Sequence, residues 1–250
     1  MKKYFKIYLE FDRDNCHDII DKTIKQNGKG YVCVVDGNVL ANASKNTLYR
    51  NIINKSLVNI CDGSSIALFA SKIYKMPFSC YTGPEIFAKY LQSNLKQYLL
   101  GNTESILSQL KNHIIESGYS IDQFKYEPLP FRNVEDFDYI SIAKNINDFS
   151  PDIIWVSLGA PKQEVFISKL NVYIDHGVLF AIGGAFNLYL GEKNNTRAPK
   201  ILRQMHLEWL YRVIREPIRI GSRALYYLIM LPKIIIQEYK QSKNNEEKIL

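Results

Sequence analysis

Asp62 is the side chain whose sequence context best suits it to take part in a reaction. It follows the apolar run at 57–61 directly and precedes Gly63, where a predicted strand turns into a helix. A carboxylate there can accept a proton from an attacking hydroxyl and act as general base. The same position suits a residue that caps the following helix, and position alone leaves both roles open. Asp36 repeats the arrangement after the run at 31–35, where we also predict a strand-to-helix turn.

The heptapeptide LGAPKQE, at 158–164, places three polar side chains at another strand-to-helix turn. Lys162 can neutralise a phosphate, while Gln163 and Glu164 can pair with hydroxyls or a nucleobase. An exposed first helical turn also tolerates these residue types. The segment therefore indicates a ligand site only in combination with its neighbours.

Metal-ligand patterns are weak in this sequence. The two Asp-x-Asp triplets, Asp12/Asp14 and Asp136/Asp138, do not follow apolar strands, and we interpret them as solvated charge. The four histidines are scattered and the four cysteines form no CxxC pair. We expect reduced core thiols, no metal site and no cofactor.

The elements that must position these residues alternate along the chain. Short apolar, β-branched or aromatic runs are separated by segments of helical period, which predicts an α/β fold: a Rossmann-like, mostly parallel sheet with helices on both faces. The predicted strands are 31–35, 57–61, 77–81, 97–100, 124–129, 152–158 and 178–182.

Polar turns containing glycine follow most of these predicted strands. They are Asp36-Gly37-Asn38, Asp62-Gly63-Ser64, Thr82-Gly83-Pro84, Gly101-Asn102-Thr103, Gly159-Ala160-Pro161 and Gly183-Gly184. In a parallel sheet such turns share the edge at which α/β proteins bind ligands, and helix N-termini there suit phosphate. Each turn alone is also ordinary loop chemistry, as in the capping box from Thr82 to Glu85. Together they predict a nucleotide or sugar-phosphate site.

The positive charge of the chain is concentrated near its C-terminus. The segment 197–243 carries ten Lys or Arg and three Glu, an excess that equals the net charge of +7 for the whole chain. This predicts an anionic partner, for which nucleic acid, acidic lipid headgroups and a phosphorylated substrate are the candidates.

The spacing of arginines within that segment predicts one basic helical face. Arg212, Arg215, Arg219 and Arg223 are three or four residues apart, although Pro217 and Gly221 are expected to divide the helix. The following apolar run, 225–231, is too short to span a bilayer. Such a segment suits a membrane interface and can hold a diphosphate, but a docked helical hairpin with a solvated basic face has the same pattern. With no signal peptide apparent, we expect a cytoplasmic protein, peripheral at the inner face of the membrane.

Several of these motifs occur together and in the order typical of a known family. Asp62-Gly63, Thr82-Gly83, Gly101, LGAPKQE, IGGAFNLYLG and TRAPKILRQMHLEWLYRVIREPIR resemble the bacterial WecG/TagA/CpsF glycosyltransferases over residues 31–223. The resemblance implies a Rossmann-like fold and transfer of an N-acetylhexosamine or related sugar from UDP to a polyprenyl-diphosphate-linked glycan. It further implies inversion at the anomeric carbon, no metal requirement and a role in cell-surface polysaccharide synthesis.

The resemblance also assigns roles to individual residues. Asp62 matches the proposed general base, and Gln163 matches a residue of the nucleotide-sugar pocket. The strand-end turns and the resemblance together give the residues expected to bind the donor: Asp36, Asn38, Gly63, Thr82, Gly83, Gly101, Asn102, Gly159, Lys162, Gln163, Glu164, Gly183 and Gly184. Those expected to bind the acceptor diphosphate are Arg197, Arg212, Arg215, Arg219 and Arg223.

The sequence departs from the family pattern at three positions. Asp36 replaces a frequent threonine, Cys80 stands where an arginine is common, and Asn187 ends a GGAFD-like block. These departures keep open the alternative of a non-catalytic, membrane-associated nucleotide-sugar binder. Nucleic-acid binding is the least favoured alternative, because an apolar run adjoins the arginines.

We expect a glycosyltransferase domain over 1–195, a basic amphipathic helical appendage over 196–243 and a disordered tail over 244–250. The expected partners are a UDP-sugar, a polyprenyl-diphosphate-linked sugar and an anionic membrane surface. An apolar appendage also makes a homo-oligomer possible in the absence of lipid.

Overall fold

The computed structural model describes residues 2–193, 198–199, 201–202 and 208–246. Within these residues the strands form a short antiparallel hairpin and a parallel sheet of six strands in the order β4-β3-β8-β7-β5-β6. The hairpin consists of β1 (Lys3–Tyr4) and β2 (Ile7–Tyr8). The sheet consists of β3 (Lys29–Val35), β4 (Val58–Cys61), β5 (Gln97–Gly101), β6 (Phe124–Glu127), β7 (Ile153–Ser157) and β8 (Gly177–Ala181). The predicted α/β fold is confirmed.

Helices cover both faces of the sheet. They are α1 (Arg13–Lys25), α2 (Gly37–Lys45), α3 (Thr47–Asn54), α4 (Ser64–Tyr74), α5 (Gly83–Leu91), α6 (Glu104–Glu116), α7 (Tyr139–Phe149), α8 (Lys162–Leu170) and α9 (Ala185–Lys193). Alternate residues of β3 point to opposite faces: Cys33 and Val35 pack into one apolar cluster, Val32 and Val34 into the other. A parallel sheet covered in this way is buried on both sides, which explains why its strands are almost continuously apolar.

Residues 77–81 form no strand in the structure, so the strand predicted there is wrong. The outer edge of β4 is already occupied, because Glu10 pairs with Ile60 in a parallel bridge and exchanges backbone hydrogen bonds with β4. The segment bonds to β4 only at the last residue of that strand, where the Tyr81 N–H donates to the Cys61 carbonyl.

The C-terminal part forms two helices, α10 (Glu208–Arg215) and α11 (Ser222–Glu246), joined by a π-helical turn over Pro217–Gly221. The predicted division of the basic helix is therefore confirmed. Helix α11 packs against α2 and α4, and it buries Ile234 in the main core. It continues to Glu246, three residues into the segment predicted as a disordered tail; residues 247–250 lie outside the described chain.

Candidate active site

The glycine turns lie at the carboxyl edge of the sheet, as the parallel arrangement requires. After β7 the chain crosses to β8, and after β5 it crosses to β6, which lies on the opposite side. The direction of the crossover connections therefore reverses between the adjacent strands β7 and β5. Ligands of open α/β sheets bind outside such a reversal. The turns there are bonded together: the Ser157 hydroxyl donates to the Gly183 carbonyl at 2.6 Å, and the Asn102 amide donates to Ser157 at 3.1 Å. These bonds join the turns after β5, β7 and β8 into one fixed rim.

Two turn residues at this reversal have left-handed backbone conformations. Gly101 has φ of 88° and Asn102 has φ of 66°, values that glycine and asparagine tolerate better than most residues. The Asn102 amide also donates to the Asn187 Oδ1 at 2.9 Å. Asn187, one of the departures from the family pattern, thus supports a predicted donor-binding residue.

Asp62 is partly exposed at the end of β4, and its carboxylate has a backbone partner on another helix. Its Oδ1 accepts the N–H of Gly83 at 3.0 Å, at the first turn of α5. Gly63, rather than Asp62, occupies the N-cap position of α4. The partial positive charge at the start of α5 favours a negative charge on Asp62. The carboxylate is therefore held in place and retains access to solvent.

Arg13 contacts the segment at 80–85, which includes the Gly83 partner of Asp62, and was missed by sequence reasoning. Its guanidinium donates to the Cys80 carbonyl at 3.0 Å, pairs with Glu85 at 3.3 Å and lies 4.5 Å from the centroid of the Tyr81 ring. Burial raises the pKa of the Cys80 thiol, the nearby Asp62 carboxylate raises it further and Arg13 opposes them. A cation from α1 thus stands beside the position where the family often has an arginine.

The turn after β3 is bonded internally and to the turn after β7. Asp36 accepts the Val39 N–H at 2.8 Å and is the N-cap of α2. Asn38 donates to the Ala160 carbonyl at 3.4 Å, which links the two turns. Asp36 thus has a helix-capping function, and its contact with a donor stays a prediction.

Gln163 and Glu164 form a buried hydrogen-bond chain beneath the rim. The Gln163 Oε1 accepts the Gly159 N–H at 3.0 Å, and its Nε2 donates to Glu164 at 2.9 Å. The hydroxyl of Tyr49 donates to the other oxygen of Glu164 at 2.8 Å. Because Glu164 is 0% exposed, we revise its expected role from direct donor contact to support of Gln163.

Burial also changes the pKa values of the groups in this hydrogen-bond chain. It raises the pKa of Glu164 to about 7, against the opposing effect of hydrogen bonds from Gln163 and Tyr49. Burial raises the pKa of Tyr49 as well, so its hydroxyl remains a donor. Gln163 is almost fully buried, yet it packs against Gly183, where an added Cβ would lie 3.4 Å from its amide. Gln163 therefore contacts both the turn after β7 and the turn after β8.

Lys162 begins α8 and contacts the loop that follows β6. Its ammonium lies 4.9 Å from the centroid of the Phe131 ring and 5.3 Å from that of Phe137. Desolvation lowers the pKa of Lys162. The Lys162 ammonium, which is predicted to meet a phosphate, thus lies against the loop that follows β6. In the sheet, β6 and the strand that precedes Asp62, β4, are at opposite ends.

The remaining predicted donor residues also line the carboxyl edge. Glu85 accepts both the N–H and the hydroxyl of Thr82, at 2.9 and 2.7 Å, which confirms the capping box. Gly183 has φ of 54°, and Gly184 accepts a backbone hydrogen bond from Leu188 in α9. Whether these groups touch a donor stays a prediction.

Of the two predicted diphosphate-binding arginines whose side chains the structure describes, Arg215 and Arg223, the structure brings Arg223 to the rim. A Cβ added to Gly159 would lie 3.7 Å from its Nη2. Arg215 donates to its neighbour Tyr211 at 3.0 Å. Arg197 and the side chains of Arg212 and Arg219 lie outside what the structure describes.

Helix α11 is anchored at the carboxyl edge by Tyr227. Its ring lies against Gly37, where an added Cβ would approach it to 2.7 Å, and its hydroxyl is 2.9 Å from that of Ser65. The helix begins beside Gly159 and crosses the starts of α2 and α4. Arg223 and Tyr227 of α11 therefore lie beside the strand ends.

The outer side of the C-terminal helices is apolar. Exposed side chains recur along it at helical spacing: Leu210, Ile214, Ile218, Leu225, Leu228, Ile229, Ile236 and Tyr239. Among the described residues, no helix is both long enough and apolar enough to cross a bilayer.

Comparison with known proteins identifies the family of the chain. A sequence model of the family described as "Glycosyl transferase WecG/TagA/CpsF family" matches residues 6–248. Relatives from Staphylococcus aureus strains MW2 and COL are named N-acetylglucosaminyldiphosphoundecaprenol N-acetyl-beta-D-mannosaminyltransferase. Each is 25% identical over 198 residues, covering 76% of this chain and 74% of the relative. The chain belongs to the WecG/TagA/CpsF family of glycosyltransferases.

Proposed function

We propose that this glycosyltransferase moves an N-acetylhexosamine or related sugar from UDP to a polyprenyl-diphosphate-linked glycan, with inversion and without a metal. The observation that carries the proposal is the partly exposed Asp62 carboxylate, fixed by the Gly83 N–H on the edge that also receives Arg223. The names of the relatives support N-acetylmannosamine as the sugar and N-acetylglucosaminyl-diphosphoundecaprenol as the acceptor.

The donor would lie along the carboxyl edge, with its diphosphate near the reversal between β5 and β7. Backbone N–H groups of the glycine turns and the ammonium of Lys162 would stabilise the negative charge that develops on the leaving UDP. Such groups provide this stabilisation by their position alone, which is why the proposal requires no metal. A chelator should therefore leave the transfer rate unchanged.

Asp62 would act as general base in a single displacement. It takes the proton of the acceptor hydroxyl while that oxygen forms a bond to the anomeric carbon. The bond from the anomeric carbon to UDP breaks, and its electron pair leaves with the UDP oxygen. Attack from the face opposite the leaving group inverts the anomeric configuration.

The acceptor would reach this carboxylate from the membrane. Arginine guanidinium groups bind diphosphates in a bidentate manner, and Arg223 lies beside the Gly159 turn. The exposed apolar stripe of α10 and α11 would rest in the interface of the inner membrane face, with Lys233 and Lys240 near anionic headgroups. This location would raise the local concentration of a lipid-linked acceptor.

The decisive experiment is a screen of UDP-sugars against a synthetic prenyl-diphosphate N-acetylglucosaminide. We expect UDP release coupled to product formation, full activity in EDTA and a product anomer opposite to that of the donor. Donor hydrolysis without product would contradict the acceptor assignment. A product that retains the donor configuration would contradict single displacement, and loss of activity in EDTA would contradict metal independence.

A further inference from the structure

Both ring nitrogens of His17, in α1, are bonded to tyrosine hydroxyls. The Nδ1 atom lies 2.9 Å from the hydroxyl oxygen of Tyr90, and the Nε2 atom lies 3.1 Å from that of Tyr81. Tyr81 and Tyr90 are both buried. Because the imidazole is bonded on both sides to buried partners, its orientation is fixed. His17 therefore joins α1 to α5 and to the segment that precedes α5.

The hydrogens of this cluster can be assigned by following the donors. The Tyr90 hydroxyl donates its only hydrogen to the Asp21 Oδ1 at 2.9 Å, so its oxygen must accept from the Nδ1–H of His17. A neutral imidazole has one N–H, which leaves Nε2 as an acceptor for the Tyr81 hydroxyl. The bonds therefore run in one direction, from Tyr81 through His17 and Tyr90 to Asp21.

The neutral form of His17 is the one that this order requires. Burial lowers the pKa of the imidazole, and the Lys89 ammonium of α5 lowers it further. The opposing groups are three carboxylates of α1: Asp21, Asp14 and Asp18. Because the net effect is a lowered pKa, the imidazole is neutral at neutral pH and can accept a hydrogen bond at Nε2.

Tyr81 connects this cluster to the segment that holds Asp62. The Tyr81 N–H donates to the carbonyl of Cys61, the residue before Asp62, at 2.7 Å. Two residues after Tyr81, the Gly83 N–H donates to the Asp62 carboxylate at 3.0 Å. Residues 77–82 belong to no helix or strand, so their position depends on bonds such as that of the Tyr81 hydroxyl. A shift of Tyr81 would therefore move the N–H that orients the proposed base.

Arg13 holds the same segment from the outside. It pairs with Glu85 at 3.3 Å, but the two side chains are 46% and 43% exposed, and exposed ion pairs contribute little to stability. Its guanidinium also lies 4.5 Å from the centroid of the Tyr81 ring, a contact with the face of the ring. The bond to His17 fixes the hydroxyl end of that buried side chain.

We propose that His17 is a positioning residue for the transfer reaction. Through the Tyr81 hydroxyl it fixes the segment whose Gly83 N–H orients the Asp62 carboxylate towards the acceptor hydroxyl. The inference rests on the proposed general-base role of Asp62. The cluster acts by holding geometry, and its own protons stay in place during transfer.

The test compares His17→Phe, His17→Gln and Tyr81→Phe in the transfer assay. His17→Phe and Tyr81→Phe each remove the bond between these side chains, so kcat should fall roughly tenfold while both KM values stay near those of wild type. His17→Gln should restore most of kcat, because its amide oxygen can accept from Tyr81 in place of Nε2. The double variant His17→Phe/Tyr81→Phe should lose no more than either single variant, since both remove the same interaction.

A pH profile adds a readout that a purely structural role would not change. Loss of the Gly83 N–H disfavours the charged form of the Asp62 carboxylate, so the acid limb of the kcat profile should move to higher pH in His17→Phe. In His17→Gln the limb should lie at lower pH than in His17→Phe. Neither variant has an imidazole at position 17, so the difference cannot arise from titration of that ring.

Tyr31→Phe is the matched control. Tyr31 is also buried, and its hydroxyl donates to the Ile52 carbonyl at 2.7 Å. It lies in the amino-terminal half of β3, away from the carboxyl edge. The control should lose a similar amount of unfolding free energy and keep its kcat. An equal fall of kcat in Tyr31→Phe and Tyr81→Phe would overturn the inference, because it would trace the loss to stability.

The remaining outcomes separate this inference from the proposed function. Wild-type kcat in Tyr81→Phe would overturn the positioning role and leave the transferase proposal intact. A fall of kcat in His17→Phe that His17→Gln does not restore, with the same acid limb in both, would also overturn it. In an Asp62→Asn background, His17→Phe should have no further effect on kcat, and an additive loss would show that His17 acts elsewhere. Normal turnover of Asp62→Asn itself would instead refute the base assignment.

Discussion

The rim of the sheet and the C-terminal helices differ in how their polar and apolar groups are used. At the rim, Ser157, Gln163 and Glu164 satisfy one another or the backbone in buried hydrogen bonds. On α11, apolar side chains face solvent, and Ile229 is 67% exposed. Buried polar networks fix geometry, whereas an exposed apolar stripe needs a partner outside the chain.

This difference suits two regions that serve different steps of the proposed reaction. Under the proposed function, the rim would hold the reacting groups in place and the exposed apolar side chains of the helices would meet the membrane that carries the acceptor. The two regions meet where Tyr227 lies on Gly37 and Arg223 lies beside Gly159. Variants on either side of this contact should therefore affect different measurable steps.

The largest effect is expected at Asp62. Asp62→Asn keeps an oxygen that can accept the Gly83 N–H but removes the base, so kcat should fall by about 10²- to 10⁴-fold with UDP affinity unchanged. Asp122→Asn, at an exposed carboxylate in the turn before β6, is the matched control in the transfer assay. Normal turnover in Asp62→Asn would rule out the general-base role.

The next effect should appear in membrane binding. The double variant Leu228→Ser/Ile229→Ser removes apolar area from the exposed stripe, and vesicle affinity should fall by about tenfold or more. Co-sedimentation with anionic vesicles measures it, and UDP binding should be retained. Ile121→Ser/Val172→Ser changes two exposed apolar residues elsewhere and should co-sediment normally. Unaltered co-sedimentation of the first variant would exclude the stripe as the membrane contact.

A smaller effect is expected where the two regions meet. Arg223→Gln removes the proposed charge-assisted contact with the acceptor diphosphate, so KM for the lipid-linked acceptor should rise about tenfold. The donor KM should stay the same. Lys240→Gln removes one charge from the distal part of the same helix and serves as the control. If Arg223→Gln and Lys240→Gln had the same acceptor KM, Arg223 would act only through its charge and not through a specific contact with the diphosphate.

The regular elements were predictable because their signals are local. The continuous apolar runs of β3, β7 and β8 reflect burial on both faces, and the glycine turns mark where those strands end. The edge formed by Glu10 was missed because it contributes a single bridge to the sheet, too short to show a period. Asp12 was interpreted as solvated charge, and its function as the N-cap of α1, where it accepts two backbone N–H groups, was missed.

The support of the site was not predictable, because it depends on contacts between distant segments. Sequence position gave Gln163 and Glu164 similar roles, but Glu164 points inward to Tyr49, a contact that spans 115 residues. Arg13 reaches Cys80 across 67 residues in the same way. Sequence spacing within LGAPKQE carries no information about which side chain faces the core.

Because Glu164 has a raised pKa, its contribution to the free energy of unfolding can be tested by changing the pH. Its pKa in the folded protein, about 7, lies above the ordinary value of 4.5 for a glutamate, so the folded state holds a proton that the unfolded state releases. Its contribution to stability is full below the ordinary pKa and is lost as pH rises through about 7. Asp36 adds to this shift by repulsion, while Tyr49 and Gln163 oppose it.

Glu164→Gln should remove this pH dependence with the smallest effect on catalysis. The glutamine oxygen can accept from Gln163, and its amide can donate to the Tyr49 oxygen, so both contacts persist without a titrating group. We expect unfolding free energies similar to wild type at pH 4.5, a gain of roughly 1–3 kcal/mol over wild type at pH 8 and a change in kcat below about threefold. Urea unfolding at the two pH values measures the difference. If the unfolding free energy of the variant changed with pH as that of the wild type does, Glu164 would not titrate in this range. A large fall in kcat would show that the rim needs the carboxylate charge itself.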